Sequence, residues 1–309
     1  MWIFDLILTT FLHIASLILA FLPRQIAVWL VHKIILIIVF FKPSYKKRAL
    51  RNISFVFKDK DNNYWQEIYD KFLLNIARFI VNSARMGYLS KEWFLNNVAV
   101  ENESKVRKIF NQKSRGKLII TGHLGSFELF AAAAAAKGFK ASIVVREFNL
   151  KIFNKWWNNK REKFGSKVVG RKGAFPFLLK ELKEGRAAAI LFDQNVRNPH
   201  GVFVDFFGHK AATSKLPALL ILKTNPYVIL AYLEEDPLTK DLYTIKWKEV
   251  TFNDLHLEKY SLEEKISLIT ERLNKEWEKV ILAHPAEWFW FHRRWKTAPP
   301  GEKEDFYQC

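Results

Sequence analysis

The stretch "KLIITGHLGSFELF", residues 117–130, passes from one kind of local structure to another within a few residues. "KLIIT" is short, apolar and partly β-branched, the composition of a strand. Gly122 and Gly125 bracket a turn, and Ser126 stands where a helix cap belongs. Phe127 to Lys137 then reads as a helix that includes six consecutive alanines, which suits close packing on a sheet. A strand turning through glycine into a helix is the repeating unit of α/β architecture. On this placement His123 leaves the carboxyl end of a strand and Glu128 falls in the first helical turn. Residues five apart diverge on one helix or one strand, so only a turn lets these two side chains converge. The expected arrangement is His123 as general base, with Glu128 fixing its tautomer and raising its basicity. Backbone N–H groups at the helix start add a place for an oxyanion.

The same alternation continues on both sides. Residues 64–89 carry apolar positions at helical spacing, including Ile68, Phe72, Ile76, Phe79 and Ile80. Strands are expected at 141–145, 166–169, 187–192, 226–233 and 242–250. Helices are expected at 151–164, 174–183, about 214–223 and about 261–282. This predicts an α/β fold with one mixed, largely parallel sheet flanked by helices. There is no low-complexity linker or repeat beyond residue 50.

Residues 1–22, "MWIFDLILTTFLHIASLILAFL", are nearly continuous in apolar character and long enough for a hydrocarbon core of about 30 Å. No basic segment precedes them, so a retained transmembrane anchor is expected in place of a cleaved signal. The second apolar run, 26–41, is interrupted by His32 and Lys33 and followed by Lys46, Lys47, Arg48 and Arg51. A lysine at mid-bilayer is costly, so residues 23–50 read as an interfacial segment. A single span puts the basic cluster on the cytoplasmic side, and the domain 51–309 with it, against the inner face of a membrane.

The chain carries 49 Lys and Arg against 31 Asp and Glu, a formal charge of +18, which favours anionic partners. Its one cysteine, Cys309, excludes an internal disulfide, and its scattered histidines form no metal-ligand spacing, so no metal and no cofactor are expected. There is no Gly-x-Ser-x-Gly elbow and no Walker or dinucleotide fingerprint. Without a protein nucleophile, a His-acid pair suits direct deprotonation of a hydroxyl or water. A second five-residue match, His200 and Asp205, lies in "PHGVFVDFFG", which reads as an extended aromatic loop where the pair diverges. Arg146, Asp193 and Gln194 end strands at the edge that carries His123, and Arg161 lies in the helix 151–164. These four, with Arg293, are the candidate substrate-binding residues, the arginines for phosphate. The ending "EWFWFHRRWKTAPP", 287–300, alternates aromatic and basic residues. It reads as a lipid-interface segment, with nucleic acid disfavoured.

"GHLGSFE", "DQ" at 193–194, "GVFVDFFGHKAATS" at 201–214 and "EWFWFHRRWK" together resemble the lauroyl/myristoyl acyltransferase family of lipid A biosynthesis. The matching stretches span roughly residues 50–297, and the His-to-acid element is shared with glycerolipid acyltransferases. The resemblance implies transfer of a fatty acyl chain from acyl carrier protein to a hydroxyl of a phosphorylated glycolipid, a lipid A precursor. His123 matches the family's base, Glu128 its partner, and Arg161 and Asp193 positions that line its active site. Asp205 stands where the family pattern expects proline. Two other readings are an acyltransferase for another glycolipid or aminolipid, and a non-catalytic lipid-binding protein.

Overall fold

The structure is a computed structural model and describes residues 2–197, 200–236, 239, 241–301 and 306–307. Five helices come first: α1 (Trp2–Phe21), α2 (Arg24–Phe41), α3 (Pro43–Val56), α4 (Asn62–Arg85) and α5 (Lys91–Asn97). Strands and helices then alternate through β1 (Val98–Val100), α6 (Glu103–Asn111), β2 (Lys117–Thr121), α7 (Phe127–Ala136), β3 (Ser142–Val145) and α8 (Lys151–Glu162). There follow β4 (Lys167–Gly170), α9 (Ala174–Lys183), β5 (Ala187–Leu191), β6 (Gly201–Phe206), β7 (His209–Ser214) and α10 (Leu216–Thr224). The last elements are β8 (Tyr227–Glu235), β9 (Tyr243–Glu249) and α11 (Leu262–Ala283).

The sheet runs β1-β9-β8-β2-β5-β3-β4. Strands β8 to β4 in that order are parallel, and the one antiparallel pairing, β8 with β9, reverses the far edge. This is the mixed, largely parallel sheet the sequence predicts. Its centre, β2, is buried at every position because helices cover both faces, which is why it reads as an unbroken apolar run. Leu118 and Ile120 face a layer of α4, α9, α10 and α11. Ile119 faces a layer containing α5 and α7, where Ala132, Ala133 and Ala136 let the backbone of α7 approach closely.

Three features differ from the sequence expectation. Strand β1 is too short to give a periodic signal. Residues 201–214 form a hairpin, β6 paired with β7, turned by Phe207 and Gly208 at φ 57° and 80°. Two positive φ values make a primed turn, whose twist suits a two-stranded ribbon. The C-terminal aromatic-basic segment does not lie at an interface: Trp288, Trp290, Arg294 and Trp295 are buried. Arg294 donates to the Ala212 carbonyl and the Thr213 hydroxyl, and Trp295 donates to the Phe206 carbonyl, so the segment docks on the hairpin.

Helices α1 and α2 are each long and apolar enough to cross a membrane. Both pack against the domain, α1 on α4 and α8 and α2 on α4.

Candidate active site

The turn after β2 is built by crowding. A Cβ at Gly122 would sit 2.4 Å from the Trp277 ring and 2.8 Å from the Asp193 carboxyl carbon, so only glycine fits. Gly125 has φ 49°, and a Cβ there would meet Glu287 at 2.7 Å. Between them His123 turns its ring toward β5. Asp193, two residues past the end of β5, receives that ring: His123 Nδ1 lies 2.8 Å from its Oδ1. The backbone N–H of His123 donates to Oδ2 at 2.8 Å, and Trp288 Nε1 donates to the same oxygen at 2.8 Å.

Burial by itself pushes the Asp193 carboxyl up. The His123 charge and the hydrogen bonds from His123 and Trp288 outweigh it and hold the group at about 2. A permanent carboxylate on Nδ1 keeps the proton there, which leaves Nε2 as the basic nitrogen. Nε2 has no hydrogen-bond partner among the described residues, and the side chain is 20% exposed.

Glu128 does not take this role. It faces α8, where Arg161 Nε donates to its Oε2 at 2.9 Å and Nη2 to its Oε1. Both partners are buried. The helix start explains the divergence: Phe127 fills the side of the turn toward His123, its ring 4.8 Å from the imidazole and stacked on Phe79. The expected contact between Glu128 and His123 is therefore replaced by two adjacent pairs, the half-buried His123 with buried Asp193 and Glu128 with Arg161, both buried.

The other expected residues divide. Gln194 is half-buried beside Asp193. Arg146 is exposed after β3 and does not join the dyad; its charge falls on Arg171, whose guanidinium burial and Arg146 together push down. Arg293 is exposed, and its charge bears on Arg48, which donates to the Phe291 carbonyl. His200 precedes β6 and Asp205 lies within it, and Asp205 pairs instead with Lys275.

Several contributors carry no recognisable spacing. The segment after α11 runs beside the motif: Phe289 N–H donates to the His123 carbonyl, and Gly125 N–H to the Glu287 carbonyl, both at 3.0 Å. Asn82 of α4 donates to Ser126 Oγ at 2.8 Å, so that hydroxyl does not cap α7. The first N–H groups of α7 are thus left without a side-chain cap. His292 accepts from the Asn195 N–H, and burial pushes it down to about 4, so it stays neutral. A narrow apolar cavity lies between α7 and the sheet, lined by Phe127, Ala131 and Ala134 on one side and Thr121, Ala189 and Ile229 on the other.

Residues 5–297 match the bacterial lipid A biosynthesis acyltransferase family. The chain belongs to that family. It is similar to the lipid A biosynthesis myristoyltransferase of Escherichia coli K12, 23% identical over 265 residues, covering 85% of this chain and 79% of that one. Similar too are lipid A biosynthesis acyltransferase 2 of Shigella flexneri, 22% identical over 84% of this chain and 81% of its own, and the Haemophilus influenzae lipid A biosynthesis acyltransferase, 21% identical over 93% and 86%. As a lipid A biosynthesis acyltransferase, the chain pairs the His123–Asp193 dyad with an apolar cavity whose wall includes Phe127, the ring packed on the imidazole, and carries membrane-suited helices at its N-terminus.

Proposed function

We propose that the enzyme moves a fatty acyl chain from acyl carrier protein to a hydroxyl of a phosphorylated lipid A precursor, with His123 as general base oriented by Asp193. The observation that carries this reading is the dyad: Nδ1 locked on a buried carboxylate, Nε2 free, and the Phe127 ring between the imidazole and an apolar cavity. His123 Nε2 takes the acceptor proton as the hydroxyl oxygen attacks the thioester carbonyl. The tetrahedral oxyanion draws on N–H groups at the start of α7. Collapse breaks the carbon–sulfur bond, and the imidazolium returns its proton to the departing thiolate. Asp193 stabilises the imidazolium in between without taking its proton. The acyl tail occupies the cavity under α7.

Glu128 and Arg161 form the wall beside the dyad, with Arg161 holding the Glu128 carboxylate away from His123. Arg146 and Arg293 offer exposed guanidinium forks for phosphate. The basic surface suits an acidic carrier. Purified enzyme given acyl carrier protein thioester, or the coenzyme A thioester, and lipid A precursor tests this directly. Acyl transfer from the carrier thioester, lost in His123→Ala, is expected. Transfer at the wild-type rate by folded His123→Ala protein would remove the base from the reading.

A further inference from the structure

Helix α1 wears its polarity inside out. Its buried residues are Asp5, Thr9 and Ser16, whereas Ile3, Phe4, Ile7, Phe11 and Ile18 are exposed. The buried polar groups are all engaged along its length. Asp5 accepts the backbone N–H groups of Ile152 at 2.8 Å and Phe153 at 3.2 Å, so it caps α8 from outside that helix. Ser16 donates to the Ala84 carbonyl and receives the buried Lys160 ammonium at 2.8 Å. Just past the other end, Arg24 is ion-paired with Glu235 at 2.6 Å and Asp241 at 3.0 Å. Helix α2 shares only the apolar outer face: Ala27, Val28, Val31 and Ile35 are buried, and Trp29, Ile34, Ile37, Phe40 and Phe41 point outward.

Both ends of α1 are therefore fastened to the same domain, one at the start of α8 and the other at the end of β8. If α1 crossed a bilayer, one of those attachment points would have to follow it. The start of α8 bears exposed Lys151 and Lys155, with exposed Arg146 just before it, and these do not enter hydrocarbon. We infer that α1 and α2 lie within one leaflet as a lipid-facing wall of the domain, so that the N-terminus, the α1–α2 junction and the C-terminus share one side of the membrane. The occupant is a bilayer with anionic headgroups: exposed Lys42, Lys46 and Lys47 follow directly on α2. The wall also covers α4, whose Phe79 and Asn82 touch the motif through Phe127 and Ser126. A lipid acceptor held in that leaflet thus reaches the site without leaving the membrane. The inference needs only the packing of α1 and α2, and stands apart from the acyl donor.

Sidedness tests it without any activity assay. The native Cys309 is the chain's one cysteine, so single-cysteine variants are simple to make. An epitope ahead of Met1, a cysteine from Gln25→Cys with Cys309→Ser, and native Cys309 are each probed in sealed vesicles of known orientation, with protease or impermeant maleimide. All three are expected to react from one face only. Reaction of any one from the opposite face overturns the in-plane arrangement: the epitope alone means a single span, and residue 25 alone means a spanning hairpin. The occupant is tested by flotation of purified protein with vesicles containing phosphatidylglycerol. Binding that weakens for Ile34→Glu and Phe41→Glu is expected. A stable dimer recovered without lipid or detergent would assign the wall to a second copy instead.

Discussion

His123 and Asp193 are registered neighbours. Thr121 and Leu191 are partners on the adjacent parallel strands β2 and β5, and the dyad residues each stand two positions further on. The sheet thus aligns base and orienter, as a turn alone would not.

Asp193→Asn keeps the shape of the dyad but presents an amide N–H to Nδ1. That moves the imidazole proton to Nε2 and removes the base. Loss of kcat on the order of 10³–10⁴ is expected, with thermal stability changed little, as for the buried aspartate of serine proteases. His123→Ala should lose about 10²–10⁴. A rate assay with a melting curve for each variant checks both.

Arg161→Ala leaves the Glu128 carboxylate buried without its cation, which typically costs about 3–5 kcal/mol. Adding Glu128→Gln should restore much of that stability, and Arg161→Lys should restore less than the native fork. Denaturant unfolding of the two singles and the double decides it. Strict additivity would mean that the pair is not coupled.

Ala134→Phe fills the cavity under α7. Longer acyl donors should lose more kcat/KM than shorter ones, by roughly fourfold per excluded methylene at about 0.8 kcal/mol each. Competition between donors of two chain lengths reads the shift. An equal loss for both lengths would place the tail elsewhere.

Glu287 supplies a pH signature. Burial first, then the charges of Glu235 and Glu234, push its carboxyl up to about 7. The folded chain holds this proton more tightly than the unfolded chain. Its contribution to stability is complete below the ordinary carboxyl range and is lost as pH rises through about 7. Glu287→Gln should flatten that fall, worth on the order of 1–3 kcal/mol by pH 8. Melting temperatures of both proteins from pH 5 to pH 8 test the sign.

The layers of the fold were legible because buried parallel strands such as "KLIIT" and "AAAIL" are unbroken apolar runs between helical patterns. The strand order was not, because pairing is non-local and leaves no trace in either strand alone. Hence His123 is recognisable as a base, and Asp193 as a strand-ending residue at the same edge, without their being joined. Glu128 is near His123 in sequence, so proximity along the chain points to it and not to Asp193, 70 positions away. The packing of Phe127 against Phe79, which turns Glu128 to Arg161, has no sequence period. Trp288 was counted among interface aromatics, since an aromatic-basic alternation does not reveal which side chains a hairpin buries.

The segment after α11 reaches back to the glycine turn that follows β2. His123 meets Asp193 across 70 positions, and Trp288 meets Asp193 across 95. Contacts of such separation close late, because loop entropy is spent before they form. A chain with β2, β5 and α7 in place but the C-terminal segment undocked lacks the indole that holds the Asp193 carboxylate and the strand-like pairing that fixes His123. Catalytic competence is then acquired in the last folding step, and its recovery during refolding should lag behind the return of helical signal.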